Sequence, residues 1–252
     1  MVERLPEDFG KERIPRAKGE AATKLMAPDH RLDSHEDRWH VLAVSLGGAS
    51  WQGVPILKQQ FDLRRYFDLL ADRRPEVVVE TGMQSGGSAL FFMDALRMVG
   101  LYETLYVGVD LDCKALHQSV LDYPHPHVLI RRDCLHEETV RTVGEYVKDK
   151  RALMILDSVH SEEHVAEELR LYAPLITPGS HLVIEDTDHS GHPILKEYTP
   201  SAWHAVEKFL SPDGLGTSLG YVRDYDVEEW FTRHGTRPFT VAPGAWLRRN
   251  DL

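Results

Sequence analysis

From Pro75 onward, short unbroken apolar runs alternate with longer stretches in which apolar residues recur every three or four positions. The runs cover residues 77–80, 105–109, 128–131, 153–156 and 181–184. Short runs rich in Val, Ile and Leu predict strands covered on both faces. The stretches between them predict helices over 88–99, 114–121 and 137–147, and one capped by Ser161 with Glu162 and Glu163 in its first turn. A last helix is expected over 202–210. Five strands alternating with helices predict a doubly wound, mostly parallel α/β sheet. Upstream, Asp62 is read as the cap of a helix that carries Leu63, Tyr66, Phe67 and Leu70, and residues 51–56 as a loop. Downstream, residues 239–241 and 245–247 flank Pro243-Gly244 and predict an antiparallel hairpin on the sheet edge. Residues 1–37 carry charge without periodicity; residues 39–46 turn apolar and Gly47-Gly48 breaks them. Residues 1–50 are expected to form an N-terminal extension (arm, lid or oligomer contact) ahead of a single domain over 51–252.

The first run leads into Glu80-Thr81-Gly82-Met83-Gln84-Ser85-Gly86-Gly87-Ser88. A turn of small residues after a parallel strand lies where open α/β sheets bind ligands. Its glycines let backbone approach a ligand, and the helix start offers free N–H groups. The loop reads G-x-x-x-G-G rather than G-x-G-x-x-G, which favours a cofactor without a pyrophosphate, such as S-adenosylmethionine. Asp110, at the end of the second strand, stands where an acid grips a ribose hydroxyl pair.

Each strand ends at or beside an acid: Glu80, Asp110, Asp133, Asp157 and Glu185-Asp186. Turn chemistry accounts for any one of them. Their convergence in one crevice is costly unless cations or hydrogen-bond donors meet them. Asp157, Glu185 and Asp186 form an all-oxygen set suited to Mg²⁺, which lowers the pKa of a bound hydroxyl. His160 follows Asp157 by three residues and is a candidate general base. His189 and His192 are weaker candidates for substrate contact, and His181 is read as structural.

The 252-residue chain has a formal net charge of −11, which argues against a duplex nucleic-acid partner. The pairs Arg131-Arg132 and Arg248-Arg249 are read as solvated surface. Cys113 and Cys134 are too few for a disulfide framework and lack metal-ligand spacing, so a reducing cytoplasm is expected. No apolar run reaches the ~18 residues of a membrane span.

Several motifs occur in order from Trp51 to the C-terminus. They are Trp51-Gln-Gly-Val-Pro-Ile, Val79-Glu-Thr-Gly with Gly86-Gly-Ser-Ala-Leu, and Val107-Gly-Val-Asp-Leu-Asp. Leu156-Asp-Ser-Val-His with His164 and Glu168, Leu182-Val-Ile-Glu-Asp-Thr, Ala205-Val with Phe209-Leu, and Pro243-Gly-Ala-Trp-Leu-Arg-Arg complete them. By these the chain resembles the cephalosporin hydroxylase / rhamnosyl O-methyltransferase family, S-adenosylmethionine-dependent enzymes of bacterial natural-product pathways. The resemblance implies a class I methyltransferase (Rossmann-like) fold with a C-terminal antiparallel strand, and a homo-oligomer. It implies that Glu80, Gly82, Ser85, Gly86, Ser88 and Asp110 hold S-adenosylmethionine, with Asp133 near the adenine, and that Asp157, Glu185 and Asp186 hold Mg²⁺. The expected activity is Mg²⁺-dependent O-methylation of a hydroxyl in antibiotic biosynthesis. The acceptor would be a sugar on a glycosylated natural product or nucleotide sugar, deprotonated with help from His160 or Asp157. The alternative is a metal-dependent hydroxylase or other oxidoreductase acting on a natural product. Two departures from the family pattern stand out: Met83-Gln84 replaces smaller residues, and Ser201-Ala202-Trp203-His204 replaces a Gly-Pro helix start.

Overall fold

The computed structural model describes residues 49–189, 200–229 and 240–251. These belong to one compact unit running from Ala49 to the C-terminus. The expected extension, apart from Ala49 and Ser50, lies outside the described residues, as do His192 and Phe239.

A seven-stranded sheet organises the unit. Its parallel strands are β3 (Val77–Thr81), β4 (Leu105–Asp110), β5 (His127–Arg131), β6 (Ala152–Leu156) and β7 (His181–Ile184), and β8 (Tyr221–Arg223) and β9 (Trp246–Arg249) complete it. The order is β5-β4-β3-β6-β7-β9-β8. β3 pairs in parallel with both β4 and β6, and β6 with β7; β9 runs antiparallel to β7 and to β8. The chain crosses sides at β3, so the ends of β3, β4, β6 and β7 open toward one crevice. Every residue of β3 is buried, which is why its run carries no alternation.

The helices that cover the sheet follow the strands closely. They include α1 (Gln60–Arg73), α2 (Gly87–Met98), α3 (Gln118–Leu121), α4 (Glu137–Val147), α5 (Glu162–Tyr172) and α6 (Ala202–Phe209). Ser161 caps α5 through a bond from the His164 amide, as expected. At the start of α6 the Ser201 amide donates to His204 Nδ1 at 3.1 Å. Trp246, Tyr66 and Phe92 form the aromatic centre of one layer, with Tyr66 5.1 Å from Phe92 and 4.7 Å from Trp246.

Four expectations need correction. Asp62 does not cap α1: the cap position is Gln59. Asp62 is fully buried, paired with Arg65 Nη1 at 2.6 Å and accepting the Val241 amide at 2.9 Å. Residues 51–56 are not a plain loop, because Ser50–Trp51 (β1) and Val54–Pro55 (β2) pair as a short antiparallel ladder. The helix expected over 114–121 is divided into a 3₁₀ turn, Cys113–Ala115, and α3. The C-terminal hairpin is built differently: β9 pairs with β8, some twenty residues upstream, and not with residues 240–241. Thr240 and Val241 turn inward instead, where Thr240 Oγ1 accepts the Trp246 indole N–H at 3.2 Å.

Candidate active site

The crevice at the strand ends encloses about 290 Å³. Gly82, Met83, Ser88, Asp110 and Asp112 line one half; Lys58, Asp157, His160, Glu185 and Asp186 line the other. The loop after β2, Pro55 to Lys58, forms a wall.

In the first half, both Asp110 oxygens are held by loop amides. Oδ2 accepts Gln84 N–H at 2.8 Å and Oδ1 accepts Asp112 N–H at 3.0 Å. The glycines here serve the chain itself. A Cβ on Gly82 (φ +85°) would lie 1.9 Å from the Asp157 carbonyl oxygen, and one on Gly86 2.6 Å from Val120. Gly82 thus lets the β3 and β6 turns touch. Met83 is accommodated by Gly108, where a Cβ would meet its sulfur at 1.9 Å.

Four of the residues expected at the cofactor, Glu80, Ser85, Gly86 and Asp133, stand off the crevice wall. Glu80 is fully buried behind it, receiving Ser88 Oγ at 3.0 Å and the Tyr106 hydroxyl at 2.5 Å, with Lys58 3.3 Å from its other oxygen. Ser85 receives the His117 amide on its carbonyl. Asp133 is exposed at the end of the edge strand and binds the Leu135 amide at 2.8 Å.

The second half gathers charge. Lys58 Nζ lies 2.7 Å from Asp157 Oδ2 and 3.0 Å from Glu185 Oε1. Its side chain is 3% exposed, a burial that Lys tolerates only when paired. Burial alone would strip its proton, but the charges of Asp157, Glu185 and Glu80 outweigh that and hold the ammonium well above the usual Lys range. Glu185 also receives the Tyr66 hydroxyl at 2.5 Å. Asp186 pairs with His160 Nε2 at 3.0 Å, and His189 Nε2 stands 3.6 Å from its other oxygen. Burial raises the Asp157 carboxyl to about 8, with the neighbouring carboxylates adding to it. Burial lowers His160, but its bond to Asp186 prevails and carries it up to about 9. Asp186 adopts a left-handed backbone, φ +58°, a conformation more common for Asp and Asn than for most other residues.

Asp157, His160 and Asp186 present donor atoms within 4.8 Å of one another. This crowd of carboxylate oxygens, with one acid raised by burial and its acidic neighbours, fits a hard divalent cation. Glu185 stands beside the group but is turned to Lys58 and Tyr66.

Lys58 has no signature in the sequence: it follows a loop motif and belongs to no periodic face. His181, read as structural, is buried against Asp224 at 2.9 Å. Trp51, beside the crevice loop, packs edge-on against Phe91 and donates to Asp94 at 2.5 Å.

A sheet of this order, with an antiparallel strand completing it and strand-end acids around a glycine turn, defines a class I methyltransferase. Residues 46–250 match the family described as Rhamnosyl O-methyltransferase/CmcI, and the chain belongs to that family of S-adenosylmethionine-dependent O-methyltransferases. A rhamnosyl O-methyltransferase of Mycobacterium leprae is 29% identical over 89% of this chain and 93% of its own length. A CmcI structure with Mg and SAM aligns with a TM-score of 0.58 at 20% identity, over 100% of this chain and 87% of its own. CalS11, a TDP-rhamnose 3'-O-methyltransferase of calicheamicin biosynthesis, aligns at 0.51 and 17% identity, over 77% and 83%. Among the described residues no helix is long and apolar enough to cross a membrane.

Proposed function

We propose that the enzyme is Mg²⁺-dependent and methylates a sugar hydroxyl, most simply on a rhamnosyl group. The observation that carries this reading is the meeting of Asp157, His160 and Asp186 within 4.8 Å, at the edge of the crevice that Asp110 and Ser88 also line. The relatives named rhamnosyl O-methyltransferase support the sugar acceptor. The hydroxylase alternative has no support in the family match.

Asp157, Glu185 and Asp186 would hold the ion, and Gly82, Met83, Ser88 and Asp110 would hold the methyl donor. When bound, Mg²⁺ supplies a Lewis acid that lowers the pKa of the acceptor hydroxyl. His160 is the candidate base for the acceptor proton; its Nε2, bonded to Asp186 at 3.0 Å, becomes available once the ion engages Asp186. Lys58 Nζ, 2.7 Å from Asp157 and 3.0 Å from Glu185, holds the two carboxyl groups in place. The wall from Pro55 to Lys58 limits water. Placement and electrostatics, rather than covalent chemistry, are the protein's contribution. The physiological setting we propose is a cytoplasmic homo-oligomer. It acts on a glycosylated natural product or a nucleotide sugar in antibiotic-type biosynthesis.

The test is mass spectrometry of rhamnose-bearing acceptors incubated with enzyme and S-adenosylmethionine. A gain of one methylene with Mg²⁺, lost in EDTA and recovered on adding Mg²⁺ back, supports the reading. Equal turnover in EDTA removes the metal from it.

A further inference from the structure

We propose that Cys134, His164 and Glu168 form a second metal site, which takes a thiophilic divalent ion of the zinc kind. Cys134 lies in the turn between β5 and α4. His164 and Glu168 are four residues apart on α5 and so share a face. Their donor atoms all lie within 4.8 Å of one another.

The distances suit such an ion. Cys134 Sγ is 3.5 Å from His164 Nε2, which is 3.9 Å from Glu168 Oε2. Zinc bonds of about 2.0–2.3 Å in a tetrahedron hold neighbouring donors roughly 3.3–3.6 Å apart. The Cys134–His164 edge already has this length, and the His164–Glu168 edge needs to close by a few tenths of an ångström. Ser158 Oγ is hydrogen-bonded to His164 Nε2 at 2.9 Å and lies 3.7 Å from Cys134 Sγ, a contact that a metal bond to His164 would replace.

A second observation points the same way. The Glu168 side chain is 1% exposed. Its Oε1 accepts the Thr81 hydroxyl at 2.8 Å, while Oε2 is buried with no hydrogen-bond partner. A buried carboxylate with one oxygen unserved is costly, and a cation among these donors removes the cost. Burial holds the Glu168 carboxyl above its ordinary range and pushes the Cys134 thiol up to about 12. Two adjacent acids strained in this way are what a bound cation relieves.

Thiolate and imidazole donors select zinc over magnesium, so the site is chemically distinct from the carboxylates of the crevice. Its role is mechanical. The ion ties the β5–α4 turn and α5 to Thr81 and Ser158, and so braces the turn that carries Asp157.

The test uses the full chain loaded with Co²⁺, whose thiolate-to-metal charge-transfer band reports sulfur ligation that an all-oxygen site cannot produce. One equivalent of zinc retained on dialysis, and a cobalt band in the unaltered protein, are expected. The band is lost in Cys134→Ser and survives in Cys113→Ser and Asp186→Asn. Glu168→Gln weakens zinc at least tenfold. In the unaltered protein, zinc also slows alkylation of Cys134 and not of Cys113, a readout independent of how the variants fold. No band and no retained zinc in the unaltered protein overturns the proposal, as does a band that persists in Cys134→Ser.

Discussion

Lys58 Nζ lies 2.7 Å from Asp157 Oδ2, so a lysine from the loop after β2 is ion-paired with the carboxylate that ends β6. The same nitrogen reaches Glu185 at 3.0 Å and Glu80 at 3.3 Å. One buried ammonium therefore joins the donor strand β3 to the strands of the acidic cluster.

Replacing Lys58 by Met removes the ammonium that joins three buried carboxyl groups. Removing one partner of a buried pair costs about 3–5 kcal/mol. Lys58→Met should unfold at clearly lower urea in EDTA. Millimolar Mg²⁺ should restore more stability to it than to the unaltered protein, because the ion then takes over the charge that Lys58 supplied to Asp157 and Glu185. Equal Mg²⁺ increments in the two proteins, by urea titration, would contradict this.

Asp186→Asn isolates charge from shape. Asn tolerates the left-handed backbone at 186 nearly as well as Asp, so the turn should persist. Loss of one anionic donor should weaken Mg²⁺ and lower kcat at least ~100-fold, equivalent to about 2.7 kcal/mol. Calorimetric titration with S-adenosylmethionine should show little change. Loss of donor binding in the variant would mean that Asp186 serves the cofactor instead.

Much of this layout was legible in the chain. Five apolar runs became five parallel strands because strands buried on both faces need no alternation. The convergence of Asp110, Asp157, Glu185 and Asp186 followed from strand ends in that architecture. The burial of Glu80 behind the crevice wall was not legible: in a doubly covered strand, nothing in the pattern says which face a given acid takes. Asp133 ends an edge strand, and strand order is not written in the alternation of elements. Lys58 was missed because its burial depends on three carboxylates up to 127 positions away. The last strand pairing failed because Pro243-Gly244 looks like a hairpin turn, while the partner that β9 finds is β8.

Stability without metal should fall as pH rises from about 6 to 9. Asp62, Asp157 and His160 all have raised values in the folded chain, about 7, 8 and 9. Burial is the main cause for the two acids; for His160, Asp186 overrides burial. Unfolded values are near 3.9 for Asp and 6.5 for His. The native state therefore binds more protons, and stability declines with pH. The two Asp contributions are complete below pH ~4 and are lost by pH 7–8; that of His160 is complete below pH ~6.5 and is lost through pH 9. Asp186 and Asp224 are held below the usual carboxylate range and titrate outside this window. Urea midpoints in EDTA across pH 6–9 check the sign, and a rising midpoint would refute it.

The same groups tie proton release to metal binding. A divalent ion at Asp157 and Asp186 expels the Asp157 proton and weakens the hold of Asp186 on the His160 proton. At pH 8, Mg²⁺ binding should release protons, seen as a binding enthalpy that changes with the ionisation heat of the buffer. The His160 ring should titrate lower with Mg²⁺ than without, by proton NMR, which frees it to act as a base near neutrality. His160→Ala should lower kcat by roughly 10²–10⁴-fold and flatten the rising limb of its pH profile.

Gly82 and Gly100 offer a paired test of why the glycine turn exists. Both have left-handed backbones, φ +85° and +74°. Around Gly100 nothing lies within 4 Å of an added Cβ, whereas at Gly82 that atom would sit 1.9 Å from the Asp157 carbonyl oxygen. Gly100→Ala should therefore show the conformational cost alone, about 1–2 kcal/mol. Gly82→Ala should add overpacking of about 1–3 kcal/mol, and it should do so by pushing the β6 turn away from β3. The displacement falls on Asp157, so Mg²⁺ affinity should drop in Gly82→Ala and stay unchanged in Gly100→Ala, measured by calorimetry on both. If both variants lose the same stability and keep full Mg²⁺ affinity, then Gly82 is present for its backbone freedom alone and the contact with Asp157 carries no weight.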